Sequence, residues 1–268
     1  LGQEESAFAD YRQAYAAQPV RARYHLAMAR YQLDRGKTAA AEAELRAVPM
    51  PPEESRAEYR VLQARLASAS GRYAEAMTAL RQAERILLNI MQRMSGGATQ
   101  TAVYVKELEG LKTKVLDTRK TTPGMRVLDK IAVKLGGGEN HRMGLFDMVI
   151  LKDNHIDFAG GILKAIPLTR EYLKAKGKDI PIEVEVRSLD DIRDVFAAGG
   201  CDRIMLDNFT PELTREAVKL IGGRAEIESS GGITLKNLRE YAECGVDFIS
   251  VGALTHQIKS LDLSLKAC

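Results

Sequence analysis

From Val115 onward, short runs rich in β-branched residues alternate with amphipathic stretches of helical period, and this alternation restricts the fold more than any other feature of the chain. The strand-like runs are "KVLDTRK", "DMVILKDNH", "IEVEVRS", "DRIMLDN", "AEIESSGG" and "DFISVGAL". Between them lie "GILKAIPLTREYLKAK", "SLDDIRDVFAAG", "TPELTREAVKLIGG" and "TLKNLREYAECG". Three of these helical stretches open on Ser or Thr in N-cap position, and glycine closes three of the four. Consecutive βα units of this kind build a parallel sheet with its helices outside. The expected fold class is α/β: an incomplete parallel α/β barrel of about six βα units, preceded by an all-α helical-repeat segment.

The C-terminal tips of the runs carry polar residues or glycines throughout. They supply Arg119 and Lys120, then Lys152, Asp153, Asn154 and His155, then Glu185 and Arg187, then Asp207 and Asn208, then Ser230, Gly231 and Gly232, and last Gly252 and Ala253. One charged tip is ordinarily a solvated loop, but in a parallel α/β barrel this face holds the active site, with phosphate bound after the last strands. The charges divide by sign. Arg119, Lys120, His141, Arg142 and Lys152 suit an anionic ligand, because guanidinium matches carboxylate in a rigid, bidentate fork. Glu185 and Asp207 suit Mg²⁺ or the hydroxyls of a sugar. The glycines of "KLGGGENHRMGL" follow the amphipathic "DKIAVKL" and lack the Lys-Ser or Lys-Thr of a phosphate-cradling loop. They read as a helix stop that turns the chain into the pocket.

Composition changes near Ala83. Residues 1–83 hold 11 Arg, 1 Lys and 21 Ala with no Ile or Asn, whereas residues 84–268 hold 12 Arg, 15 Lys, 16 Ile and 5 Asn. A shift of this size marks a boundary between a segment 1–83 and a domain 84–268, and suggests two chains of different origin joined together. In the first segment, Gly36 aligns with Gly71, Ala41 with Ala76 and Leu45 with Leu80, a period of 35 residues. Such a period belongs to helical solenoids. "AFADYRQAYAAQP" fits half of a preceding unit through Ala7, Tyr11, Ala14 and Pro19. The segment resembles the tetratricopeptide repeat family, whose Leu, Tyr and Ala stripes are core and whose groove takes a peptide partner. Across the boundary, Gly71 to Gly97 contains no proline and keeps helical spacing, which predicts one continuous helix.

A net charge of +3 with no block of like charge argues against nucleic acid or an anionic membrane as partner. No apolar run approaches the roughly 20 residues of a membrane span. Cys201, Cys244 and Cys268 have no metal-type spacing, and the first fifteen residues lack the apolar core of a signal peptide, so a reducing cytoplasm is the expected location.

"LLNIMQRMSGGATQT", "DTRKTTPGMR", "KLGGGENHRMGL", "ILKDNHI", "EVEV", "IMLDN", "ESSGGI" and "ISVGALTH" together closely resemble quinolinate phosphoribosyltransferase, also called nicotinate-nucleotide pyrophosphorylase. The resemblance implies an enzyme of NAD biosynthesis. Quinolinate and phosphoribosyl pyrophosphate give nicotinate mononucleotide, pyrophosphate and CO2, with Mg²⁺ required. It places quinolinate's two carboxylates against Arg119, His141, Arg142 and Lys152, with Lys120 and Asp153 near the reacting centre. Glu185 and Asp207 take the ribose hydroxyls and Mg²⁺, while Ser230, Gly231, Gly232, Gly252 and Ala253 take the 5-phosphate. It also implies a homodimer or higher homo-oligomer. Repeat helices stand where the family has a sandwich domain that lends an arginine to the neighbouring pocket, so the resemblance implies low turnover by this chain alone. Two other readings stand beside the transferase: an interaction protein whose barrel is idle, and a composite chain without a single function.

Overall fold

The computed structural model describes residues 22–48 and 55–265. The chain divides into two compact units, one formed from residues 1–92 with 262–268 and the other from Arg93–Leu261. The half-repeat expected around Ala7 to Pro19 lies outside the described residues.

In the first unit, α1 (Ala22–Asp34) and α2 (Thr38–Arg46) form one helical hairpin, and α3 (Arg56–Ala69) pairs with the start of α4 (Tyr73–Glu107). Gly36 and Gly71 turn the two hairpins at φ +71° and +74°. Leu26, Ala29, Leu45, Leu62 and Leu66 pack as one cluster, and Ala64, Ala67, Ala76 and Ala79 as another. The alanines let α3 and α4 approach closely. One expectation fails at Leu80, which is 44% exposed although its counterpart Leu45 is buried. Alpha-3 covers the alanine side of α4, and Tyr73, Met77 and Leu80 are exposed to solvent. The continuous helix expected over residues 71–97 is present as α4 and runs on to Glu107.

In the second unit the order is β1 (Lys114–Leu116), α5 (Arg126–Leu135), β2 (Val149–Leu151), α6 (Asp153–Ala159), α7 (Ile162–Ala175), β3 (Ile182–Val186), α8 (Leu189–Ala197), β4 (Arg203–Asp207), α9 (Pro211–Ile221), β5 (Glu226–Ser230), α10 (Leu238–Ala242), β6 (Phe248–Ser250) and α11 (Ala253–His256). All six strands pair in parallel, in the order β1-β6-β5-β4-β3-β2. Strands β1 and β2 are the two edges, and a bridge from Leu116 to Glu139 extends the β1 side. This is an α/β barrel left incomplete between its first two strands.

Side chains alternate across a strand, and here the two parities have different chemistry. Val115, Leu151, Ile182, Val184, Val186, Ile204, Leu206, Ile227 and Ile249 share one core cluster with helix residues such as Ile166, Ile192, Val195, Ile221 and Leu238. Ser188 and Thr210 cap α8 and α9 by accepting from Asp191 N and Leu213 N. Thr234 does not cap a helix as expected. Its N–H is taken by Asn237 Oδ1 in a turn, and α10 begins only at Leu238. The triple glycine ends α5 as expected and has a second reason. A Cβ on Gly136 would lie 2.4 Å from Ala98 O, and one on Gly138 would lie 2.8 Å from Thr101 Cγ2. The chain passes too close to α4 for any side chain there.

Candidate active site

The parity of β3 that does not join the apolar core carries Glu183 and Glu185. On neighbouring strands, in register, stand Arg203 and Met205, then Glu228, with Asp207 opposite Ser230. These residues point to the concave side of the sheet. A cavity of about 210 Å³ opens there, lined by Thr118, Arg119, Lys120, His141, Arg142, Ile150, Lys152, Met205, Glu228, Ser230 and Ser250. A larger hollow of about 540 Å³ lies among α2, α3 and α4, but its arginines are engaged locally, Arg46 with Glu42 and Arg72 with Glu75.

Six of the residues expected at the site therefore meet around one cavity: Arg119, Lys120, His141, Arg142, Lys152 and Ser230. Arg119 and Arg142 form its most polarised wall. The Nε of each is buried without a hydrogen-bond partner. Burial and the adjacent Arg119 charge together hold the Arg142 guanidinium below its ordinary pKa, with Glu183 and Asp147 opposing. Arg142 is steadied by donating from Nη1 to Met148 O at 3.1 Å. Two like charges with unfilled donors are a receptor for an anion. Lys152 stands across from them and donates from Nζ to Glu185 Oε2 at 2.5 Å.

His141 forms the floor. Its Nε2 lies 3.1 Å from Glu183 Oε2 and 3.3 Å from Glu228 Oε2, and both carboxylates have fully buried side chains. Glu228 also accepts from Arg203 Nη1 at 3.1 Å. Burial pulls the imidazole pKa down, but the two carboxylates outweigh it and raise it to about 9. Glu183 is raised as well, to about 7, by burial and then by the charge of Glu228, with His141 opposing. The three ligand atoms lie within 4.8 Å of one another, close enough to hold a metal ion. His141 Nδ1, however, accepts from Arg142 N at 2.7 Å. In the neutral ring that contact leaves the proton on Nε2, and the imidazolium carries one there as well, so a metal would have to displace a proton held between the carboxylates.

The acidic and glycine-bearing tips lie above this floor and outside the cavity lining. Glu185 is buried, and Asp153 at the start of α6 is exposed. Burial, and then the neighbouring Glu185 charge, hold the Asp207 carboxyl above its usual pKa, with Asn208 opposing by donating to Oδ2 at 2.8 Å. A divalent cation would relieve that repulsion, and Mg²⁺ takes one or two carboxylates and fills its shell with water and phosphate. The donor set of Glu185 and Asp207 thus fits Mg²⁺. Gly231 sits at φ +97°, where a Cβ would lie 2.2 Å from Asn208 Oδ1, so only glycine serves at this tip. Gly252 is the N-cap of the four-residue α11, which Ala253 begins. Two polar tips have other tasks. His155 accepts from Lys152 N at 3.1 Å and so caps α6, and Arg187 pairs with Asp157 at 3.0 Å.

Sequence reasoning missed Glu183, Glu228 and Arg203, and the buried pair Asp117 and Lys130. The signal existed for the two glutamates. In "IEVEV" and "AEIES" glutamates recur every second residue in strands whose other parity is apolar, which marks a sheet with a charged inner face. Asp117 and Lys130 lie 13 residues apart on a strand end and a helix, and no local pattern joins them.

Residues 98–266 match the family described as quinolinate phosphoribosyl transferase, C-terminal domain. The chain is 50% identical over 198 residues to the chloroplastic nicotinate-nucleotide pyrophosphorylase of Arabidopsis thaliana, covering 69% of this chain and 56% of that one. It is 47% identical over 187 residues to the probable nicotinate-nucleotide pyrophosphorylase of Bacillus subtilis, covering 70% and 63%. Among solved structures, NadC from Streptococcus pyogenes is 45% identical with a TM-score of 0.66, over 70% of this chain and 65% of that chain. The chain spans between about half and two thirds of the length of these relatives. Among the described residues, no helix is long and apolar enough to cross a membrane. With the match reaching across most of the barrel unit, this chain belongs to the quinolinate phosphoribosyl transferase C-terminal domain family.

Proposed function

We propose that the chain transfers a phosphoribosyl group from phosphoribosyl pyrophosphate to quinolinate and decarboxylates the product, giving nicotinate mononucleotide, pyrophosphate and CO2 for NAD biosynthesis. The observation that carries this reading is the pair of half-buried guanidiniums, Arg119 and Arg142, each with an unfilled Nε. A dicarboxylate fills both and removes their repulsion. In the proposed complex, Arg119, His141, Arg142 and Lys152 hold quinolinate's two carboxylates, and Lys152 exchanges its Glu185 partner for substrate. Lys120 and Asp153 face the reacting centre. Ser230, Gly231, Gly232, Gly252 and Ala253 hold the 5-phosphate. Glu185 and Asp207 hold Mg²⁺ and the ribose hydroxyls. The metal supplies charge neutralisation to the leaving pyrophosphate.

The ribose C1–oxygen bond breaks with its electron pair on pyrophosphate while the ring nitrogen bonds C1, through a transition state with oxocarbenium character. Fixed carboxylates beside C1 stabilise that positive charge without reorganising. Orientation by the cationic wall contributes the rest. Loss of CO2 then leaves an electron pair on the ring carbon beside the alkylated nitrogen. The Lys152 ammonium stabilises it, and the carbon then takes a proton from water.

Release of pyrophosphate and CO2 on mixing the chain with both substrates and Mg²⁺ tests the transfer, and calorimetry tests each binding step. Absence of quinolinate binding would sink the proposal. Asp207→Asn should abolish the Mg²⁺ dependence of phosphoribosyl pyrophosphate binding while leaving Tm unchanged or slightly higher, because the native carboxylate is held against its own charge. An unchanged Mg²⁺ dependence would mean that the carboxylate pair is wrongly assigned.

We read residues 84–268 as the catalytic barrel, acting as a homo-oligomer, and residues 1–83 as a tetratricopeptide-repeat-like segment. The two helical hairpins and the hollow among α2, α3 and α4 support a second reading for that segment, a groove for a peptide partner.

A further inference from the structure

Resting on the proposed transferase reading, we infer that Asp117 and Lys130 are positioning residues for quinolinate recognition, a buried ion pair that clamps the backbone of His141. Asp117 follows β1, Lys130 lies in α5, and both side chains are wholly buried. Neither lines the cavity. Lys130 Nζ donates to the Asp117 carboxylate and also to His141 O at 2.8 Å. His141 N donates to Asp117 Oδ1 at 2.9 Å. Both backbone polar groups of one residue, in the two peptide units that flank it, are thus gripped by the two members of one ion pair. Asn140, with its amide oriented to satisfy its neighbours, donates to Asp117 Oδ2 at 2.7 Å and Lys130 O at 2.9 Å and closes the network.

The side chain of His141 is fixed separately, by Glu183 and Glu228 at Nε2 and by Arg142 N at Nδ1. Backbone and ring are therefore held by β1, α5, β3 and β5 together, and Arg142, the next residue, inherits the placement. A buried ion pair is a poor device for stability alone. Taking both charges out of water costs about as much as their attraction returns, and apolar side chains of similar volume commonly do as well or better. What an apolar pair cannot do is hold the N–H and C=O of His141. That distinction separates a positioning role from a packing role.

The test is the double variant Asp117→Leu/Lys130→Met in the full chain. The variant should still fold, with a Tm lowered by the unpaired N–H and C=O of His141. Its Kd for quinolinate should rise at least tenfold, while its Kd for phosphoribosyl pyrophosphate changes less than twofold, because the phosphate tips lie on β4 to β6. In ¹⁵N-histidine spectra, the Nε2–H signal of His141 should shift or broaden. A folded double variant with parental quinolinate affinity and an unmoved His141 signal would overturn the inference. If the double variant does not fold, Asn140→Ala decides. It should raise the quinolinate Kd roughly threefold and perturb the same signal, and an unmoved signal there overturns the inference equally. If the parent chain binds no quinolinate, the proposed function fails, and the histidine spectra still decide whether the pair positions His141.

Discussion

Arg142 is half-buried, repelled by Arg119 and unpartnered at Nε. Replacing it with Met removes one charged partner of a carboxylate, a loss of about 2 kcal/mol. Quinolinate affinity should fall roughly 30-fold, with phosphoribosyl pyrophosphate binding within twofold and Tm preserved. Equal quinolinate affinity measured by calorimetry would remove Arg142 from the site. His141 and Glu183 make a second forecast, in pH. Between pH 4.5 and about 7 the folded protein keeps a proton on Glu183 that the unfolded chain has lost, and between 6.5 and about 9 the same holds for His141. In both windows the folded state binds more protons, so stability falls as pH rises. The groups facing His141 are Glu183, Glu228, Asp117, Lys130 and Arg142, with Arg203 behind Glu228. Tm should decline from pH 6.5 to 9, and His141→Gln should flatten that decline. A parent profile that is flat over this range would contradict the charge pattern of the floor.

Among the elements, the β5 tip gives the clearest contrast. Gly231 and Gly232 both have positive φ, +97° and +62°, but only at Gly231 does an added Cβ collide, with Asn208 Oδ1 at 2.2 Å and Asn208 N at 2.9 Å. Gly232→Ala should cost only about 1 kcal/mol of backbone strain. Gly231→Ala should cost more, and should weaken binding of a phosphate-bearing ligand by displacing the β4 tip. Equal Tm values for the two variants would refute the collision. Strands and helix caps were largely legible in advance, because β-branched runs, Ser188, Thr210 and the closing glycines act locally. Thr234 misled because Asn237 competes for its N–H, a choice made by a turn rather than by helix pattern. Leu80 misled because repeat spacing says which side chains correspond, not which are covered. Most of the cationic wall was readable from strand tips and "ENHR". The carboxylates of the floor were marked only as a charged parity in "IEVEV" and "AEIES", and their pairing with His141 was not readable, because it depends on strands brought together only by folding.

In the whole molecule, the two units have separate apolar clusters: the small leucine and alanine clusters of the helical hairpins, and the large one between sheet and helices. Calorimetric scans of the full chain should therefore show two heat-absorption peaks, the smaller at lower temperature, since local unfolding follows the density of buried apolar packing. A single peak with equal calorimetric and van't Hoff enthalpies would mean that the chain melts as one cooperative body. The division of each strand into an apolar parity and a charged parity reaches further. Apolar residues that join the core cluster and glutamates that face the site side of the sheet alternate along the same five letters of "IEVEV". Substitutions at the exposed members of the charged parity can alter what the barrel recognises while the packing beneath the helices is kept, whereas the buried Glu183 and Glu228 tie recognition to stability.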